Sequence, residues 1–326
     1  MLTVDRIGRI TSLIDTASAR GIELIGSNDQ PLGAAFSGLR TVTRSGQRLA
    51  GQPADFRWKP GTRLATALGD WAPVDYVLAP AIIDEVPDVI GWLDHVAETL
   101  ADEGHLCLAI TDKRFSPDAR RPVTSTGQLV EAHLRGLASP TAAQIFDHTA
   151  LRLLNPDPVA LWNGRDPRTF KRAAEDPAAE AYRLTMEQLQ VPSDISLPIH
   201  VFTDQSFADI LADLAATGLF PYAVAEFMPT RRYQTEFFVT LQKLGSWLTP
   251  EARRVRQEAG FALSRERLAH ADRLLVGEPD EPPVLPSASA VAAYVRTEGR
   301  RVARDLAVRA EQARSRAAAL RERRKK

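Results

Sequence analysis

Acidic and basic side chains follow two apolar runs in the middle of the chain. Asp84 and Glu85 come shortly after residues 76–79, and the triplet Asp112, Lys113 and Arg114 comes shortly after residues 106–110. A carboxylate can accept a proton as a general base, whereas ammonium and guanidinium groups bind anions. These two places are therefore the first candidates for binding or catalysis.

The segment between the two runs has the periodicity of a helix. It starts after Pro87, Gly104 is available to end it, and its apolar residues fall close to i, i+3, i+4, i+7 spacing: Val89, Ile90, Leu93, Val96 and Leu100. Strand, helix and strand in this order predict a parallel βαβ unit. Ligands gather at the carboxyl ends of such strands, so we expect both charged groups at one functional edge.

The same stretch resembles a known enzyme family. The residues that carry the resemblance are Asp75-Tyr76-Val77, Val86-Pro87-Asp88, Ile90-Gly91-Trp92-Leu93 and Asp112-Lys113-Arg114-Phe115. They are similar to the region of the fourth and fifth strands in class I S-adenosylmethionine-dependent methyltransferases, especially the bacterial group found with glycosyltransferases. The resemblance implies an α/β fold with three αβα layers and a seven-stranded, mostly parallel, Rossmann-like sheet. It also implies methyl transfer to a hydroxyl of a glycan or related small molecule.

In that family, S-adenosylmethionine lies over a loop after the first strand. The resemblance places Glu23, Gly26, Ser27 and Asn28 in this loop, with Asp84 on the other side of the cofactor. The family's acid stands two residues before the glycine, but Glu23 stands three residues before Gly26 and Leu24 takes its place. Neighbouring strand residues face opposite sides, so Glu23 should point away unless a bulge restores it. Considered without the resemblance, Gly26 is typical of a turn glycine.

Further positions also depart from the family. The second strand ends at Arg44, where relatives carry an acid that accepts hydrogen bonds from the ribose, and a guanidinium has only donors. Two family histidines are replaced around Ala81 and Asp84. The alternative function is therefore a non-catalytic protein, a possible pseudoenzyme, that keeps the fold to bind a partner or ligand in a surface-glycan pathway.

Asp84, Asp112 and His148 are the candidate catalytic residues, and Lys113 and Arg114 are the candidate substrate-binding residues. Two structural alternatives stay open. Asp84 and Glu85 could cap the following helix, and Asp112 and Arg114 could simply pair and brace the insertion at 116–200. No histidine pair has metal-ligand spacing, so we expect no metal site.

The chain divides by composition into four parts. Residues 1–245 are expected to form the methyltransferase-like domain, with a helical insertion or lid at 116–200 made of helices near 126–137, 140–153 and 168–190. Residues 246–276 are a helical extension, 277–287 a Pro-rich linker and 288–326 a basic helical tail. Within the domain, the loop residues Arg231 and Arg232 could bind an anion or could be solubilising surface.

The formal net charge of zero hides an asymmetry. Residues 291–326 hold twelve Arg or Lys against four Asp or Glu, a net charge of about +8, so the preceding residues are acidic. We expect the tail to associate with an acidic protein or a membrane surface; nucleic acid is disfavoured because Tyr294 is the tail's only aromatic residue. The first twenty residues have neither a signal-peptide core nor a membrane span, which predicts a cytoplasmic protein. Cys107 lies in an apolar run and is expected in the core.

Overall fold

The computed structural model describes residues 4–26, 36, 38–44, 54–58, 62–190 and 197–276. Its strands are β1 (Gly21–Ile25), β2 (Leu39–Arg44), β3 (Phe56–Trp58), β4 (Val74–Pro80), β5 (Leu100–Thr111), β6 (Tyr222–Met228) and β7 (Glu236–Lys243). Its helices are α1 (Val4–Ile10), α2 (Leu64–Leu68), α3 (Val89–Thr99), α4 (Thr126–Leu134), α5 (Ala142–Leu151), α6 (Pro158–Trp162), α7 (Pro177–Gln190), α8 (Asp204–Ala216) and α9 (Pro250–Val276). The linker and basic tail predicted for 277–326 lie outside the described residues.

The strands form one seven-stranded sheet in the order β3-β2-β1-β4-β5-β7-β6. All neighbours are parallel except β7, which is antiparallel to both β5 and β6. The expected fold class, a seven-stranded and mostly parallel sheet between layers of helices, is confirmed. Because β6 runs parallel to β5, the carboxyl ends of β1, β4, β5 and β6 share one edge.

Helices cover both faces of this sheet, which is why its central strands are nearly continuous apolar runs. On one face, Val77 and Leu108 join a core with residues from α2, α3, α4 and α8. On the other face, Tyr76 and Cys107 pack with Ile10 of α1. Cys107 is buried as expected, and burial raises the pKa of its thiol to about 12.

The helices of the insertion are shorter than the sequence predicts. Gly136, with φ 58°, follows α4 closely and stops it before 137, and α5 begins only after the Thr141 cap. α7 begins at Pro177, because a proline suits a first helical turn and disfavours helix before it. Through Leu129, α4 joins the main core, whereas α5 and α7 pack on each other.

Within the predicted helical extension at 246–276 the structure has one helix, α9. It packs along β6 and α8, and its Phe261 and Leu268 belong to the main core. In the described part of the chain, no helix has the length and apolar character needed to cross a bilayer.

Candidate functional site

The ends of β1 and β4 approach each other closely at Gly26. A Cβ atom on Gly26 would lie 2.6 Å from the carbonyl oxygen of Ala81, closer than side chains tolerate. This approach alone explains why position 26 lacks a side chain. Ser27 and Asn28, the other loop residues predicted to contact the cofactor, lie outside the described residues.

Glu23 is buried in β1 and faces the α1 side of the sheet. β1 pairs with β2 and β4 without a shift in register, so no bulge turns Glu23 toward the opposite face. Its carboxylate raises the pKa of Tyr76, which lies on the α1 side, although burial is the larger cause of that shift. Leu24 faces the other way, into the main core. The position where relatives carry the acid is therefore filled by an apolar side chain.

Asp84 occupies a short 3-10 turn, 83–85, directly after β4. Its Oδ1 atom is buried with no hydrogen-bond partner. Burial, then the neighbouring charges of Glu85 and Asp118, raise the pKa of Asp84 to about 7. Asp84 therefore exchanges its proton near neutral pH, which suits a general base.

The prediction that Asp84 and Glu85 cap α3 is wrong. The cap is Asp88, whose Oδ1 accepts a hydrogen bond from the backbone N–H of Gly91 at 2.8 Å. A cap must lie just before the first helical turn, and α3 starts only at Val89, since Asp84 and Glu85 belong to the separate 3-10 turn. The carboxylate of Asp84 is thus left for another role.

A buried arginine holds the chain around Asp84. We call Asp84, Asp118 and Arg121 the Asp84 cluster, because the charges of the last two act on Asp84. Arg121, 3% exposed, donates to the carbonyl oxygens of Pro198 at 2.7 Å and Ile199 at 2.9 Å, and to Asp118 at 3.1 Å. The backbone N–H of Ile199 in turn donates to the carbonyl oxygen of Asp84 at 2.7 Å. The positive charge of Arg121 partly offsets the rise in the pKa of Asp84. Sequence analysis did not assign Arg121 to the site.

Two histidines flank the same cluster in the neutral form. His200 is 2% exposed, and its Nε2 lies 2.9 Å from the carbonyl oxygen of Val86, so this nitrogen donates. Burial lowers its pKa to about 4. Burial, then the charges of Arg121 and Arg152, also lower the pKa of His148 to about 4. At neutral pH His148 is therefore uncharged, and its Nε2 accepts a hydrogen bond from Arg152 Nη1 at 3.1 Å.

Asp112 and Arg114 belong to a different network. Asp112 is 0% exposed and accepts from Arg114 Nη2 at 2.5 Å and from the Thr230 hydroxyl at 2.8 Å. The same Nη2 also lies 2.6 Å from Asp204 at the start of α8. Asp112 and Arg114 therefore pair, as the structural alternative has it, but their further partners Asp204 and Thr230 lie outside the insertion that they were expected to brace.

Lys113 lies between that network and Asp84, because charges from both sides act on it. Its Nζ donates to the carbonyl oxygen of Ala119 at 3.2 Å. Burial lowers its pKa, while the charges of Asp112 and then Asp118 oppose that shift. The charges of Asp118 and Arg121 act on Asp84, Lys113 and His148 alike.

A cavity of about 250 Å³ lies beside the loop after β4. Its walls include the indole rings of Trp58, at the end of β3, and Trp92, on α3, together with the carboxylate-bearing residue Glu85. The Trp92 Nε1 atom is buried and has no hydrogen-bond partner. Aromatic walls suit a planar heterocycle. Among the described residues, no group of three or more acids, histidines or cysteines could hold a metal ion.

No family model and no curated protein matches this chain. Many solved structures have a similar fold. An S-adenosylmethionine-dependent methyltransferase from Mesorhizobium loti is 11% identical over 74% of this chain and 98% of its own, with a TM-score of 0.37. A methyltransferase from Methanosarcina mazei is 13% identical over 73% and 97%, with a TM-score of 0.33. The magnesium protoporphyrin IX methyltransferase of Synechocystis PCC 6803, with bound SAH, is 10% identical over 74% and 89%, with a TM-score of 0.30. The fold assignment depends on the sheet order rather than on these similarities.

Proposed function

We propose that this protein is a class I methyltransferase-like enzyme that acts on a hydroxyl of a glycan or a related small molecule, with Asp84 as the general base. The observation that carries the proposal is the Asp84 carboxylate, which follows β4, has a buried oxygen without a partner and has a pKa of about 7. A base of this kind removes a hydroxyl proton most effectively near neutral pH. The charges of Asp118 and Arg121 also act on Lys113 and His148, which are proposed to position the acceptor.

The resemblance implies S-adenosylmethionine, whose sulfonium would supply an activated methyl group when bound. The described residues fit this group in part. Trp58 and Trp92 suit its adenine base as aromatic walls. β1 does not offer the expected carboxylate, because Leu24 stands there and Glu23 faces the α1 side.

The orientation of Glu23 favours the second candidate function. A chain without the acidic acceptor on β1 could keep the fold and bind a ligand or partner of a surface-glycan pathway without catalysis. The cavity at Trp92 would then bind a ligand other than the cofactor. The two candidates differ in whether the nucleoside cofactor binds at all.

Calorimetry with S-adenosylmethionine and S-adenosylhomocysteine tests the proposal. We expect Trp92→Leu to weaken binding of both about fivefold to tenfold, since it removes an aromatic wall of the cavity and keeps an apolar side chain. The matched control is Trp247→Leu, because Trp247 is 52% exposed and does not line the cavity. Absence of binding by the unsubstituted protein would overturn the first candidate and support the second.

A second pair of variants tests the base. Asp84→Asn should retain the affinity for S-adenosylhomocysteine and lose methyl transfer to hydroxyl acceptors. Asp70→Asn changes an exposed carboxylate that precedes β4. It should change neither the affinity for S-adenosylhomocysteine nor methyl transfer. Transfer by Asp84→Asn at the rate of the unsubstituted protein would remove Asp84 from the proposed role.

The basic tail at 288–326 stays a prediction, and we propose that it associates with an acidic protein or membrane surface. Its charge of about +8 should make this association weaken steeply as salt rises. Deleting 287–326 and comparing co-purifying partners and sedimentation with anionic vesicles at low and high salt tests it. Association that survives the deletion would contradict this role.

A further inference from the structure

A second cavity lies at the carboxyl end of β6, away from Asp84. It has a volume of about 480 Å³ and lies between α1, the loop from β6 to β7, and α9. Four arginines and a histidine from these three elements line it: Arg9, Arg231, Arg232, Arg267 and His270. Neither Arg9 nor α9 was assigned to a site by sequence analysis, and only the fold brings them to the loop arginines.

The lining of this cavity is strongly positive. A guanidinium keeps its charge at any pH that the fold survives. Glu226 is the one acid among the described residues that line the cavity, and its carboxylate accepts a hydrogen bond from the Ser12 hydroxyl. Like charges that surround one concave space repel each other and raise the local potential for anions. A bound anion would relieve that repulsion.

Arg9 distinguishes this lining from an ordinary solubilising surface. It is only 6% exposed, its Nη2 donates to the carbonyl oxygen of Pro229 at 3.3 Å, and its guanidinium lies 4.2 Å from the centre of the Phe238 ring. A surface arginine is free to extend into water, whereas these contacts hold Arg9 in place beside the loop. Arg9 is therefore a fixed part of the cavity wall rather than a mobile surface side chain.

We propose that this cavity binds a phosphate-bearing small molecule, either a phosphomonoester or a diphosphate. The planar fork of an arginine matches phosphate oxygens with paired hydrogen bonds. Four guanidiniums against one carboxylate suit a group with two or more negative charges better than a single carboxylate. The proposal is independent of the methyltransferase proposal, because none of the residues involved belongs to the Asp84 cluster.

The experiment measures binding of inorganic phosphate and pyrophosphate to the full chain by calorimetry, at constant ionic strength maintained with sodium chloride. We expect saturable binding with pyrophosphate tighter than phosphate. Arg267→Gln should weaken pyrophosphate binding about tenfold to a hundredfold, since it removes a charge-assisted contact. The matched control is Arg265→Gln, an exposed arginine on the same helix that does not line the cavity, and it should leave the affinity unchanged.

Thermal melting without ligand checks that both variants fold. If Arg267→Gln does not fold, Arg232→Gln in the exposed loop provides the same test, with the same expected loss of affinity. No saturable binding, or equal weakening by Arg265→Gln and Arg267→Gln, would overturn the proposal. It would also be overturned if single-stranded RNA bound through these arginines and pyrophosphate did not, because the lining would then be a polyanion surface rather than a phosphate site.

Discussion

Gly26 and Ala81 lie so close that the carbonyl oxygen of Ala81 would be 2.6 Å from any Cβ atom at position 26. This contact joins the ends of β1 and β4, and it makes Gly26 a structural requirement whether or not a cofactor binds. A bulky substitution at Gly26 would therefore disturb the fold as well as any cofactor site.

We predict that Gly26→Ala lowers the free energy of unfolding by about 1–3 kcal/mol, since the added methyl group displaces backbone rather than a flexible side chain. Urea denaturation measures the change. Gly8→Ala is the control, because a Cβ on Gly8 of α1 meets nothing within 4 Å and alanine favours a helix. A Gly26→Ala variant as stable as the unsubstituted protein would show that β1 and β4 do not meet in this way.

Arg114 is predicted to stabilise the fold by neutralising two buried carboxylates. Arg114→Leu leaves Asp112 and Asp204, which are 0% and 5% exposed, without their counter-ion. We expect a loss of about 3 kcal/mol in denaturant unfolding.

The control for Arg114 is Arg135→Leu. Arg135 pairs with Glu131 at 2.8 Å on the surface, where both side chains are more than 60% exposed, so its loss should cost less than about 0.5 kcal/mol. If Arg114→Leu unfolded like the control but lost affinity for an acceptor, Arg114 would instead serve the substrate.

The pKa of Asp84 predicts stability that falls as the pH rises. Its pKa is about 7 in the folded protein against 3.8 without the fold, so between these values the folded state holds a proton that the unfolded state has lost. From pH 5 to pH 8 this costs the folded protein about 2–3 kcal/mol. Asp84→Asn should become more stable relative to the unsubstituted protein by that amount, as measured by denaturation at both pH values. A constant difference between the two proteins would mean that Asp84 is ionised throughout.

The pKa of His200 predicts that stability falls as the pH is lowered. Its pKa is about 4 in the fold and 6.5 without it, so the unfolded state binds the proton first and stability falls as the pH drops below 6.5. Between pH 7.5 and pH 5 the loss should be about 2 kcal/mol. His200→Gln, whose amide can still donate to Val86, should show a shallower loss over this range. An unchanged acid profile would indicate that His200 is already charged or exposed.

The amino-acid sequence determined the seven-stranded, mostly parallel sheet. Apolar runs near 76–79 and 106–110, with helical periodicity between them, predicted the βαβ unit because period and strand order are local properties. The direction of the Glu23 side chain was also predictable from the sequence, because side chains alternate along a strand and β1 contains no bulge. The charged triplet at 112–114 was placed after its strand, and pairing of Asp112 with Arg114 was one of the alternatives, but the further partners Asp204 and Thr230 were not predicted.

Tertiary structure decided what each charged group does. Two acids four residues apart look alike in sequence, yet Asp88 caps α3 while Asp84 has a buried oxygen without a partner. The difference arises because Arg121 and residues 198–200, from distant parts of the chain, enclose Asp84. Burial and neighbouring charges then set the pKa of Asp84. Likewise, Arg9, Arg231 and Arg267 line one cavity only because α1 and α9 meet the end of β6. Such contacts between distant segments depend on packing, which no local pattern of residues specifies.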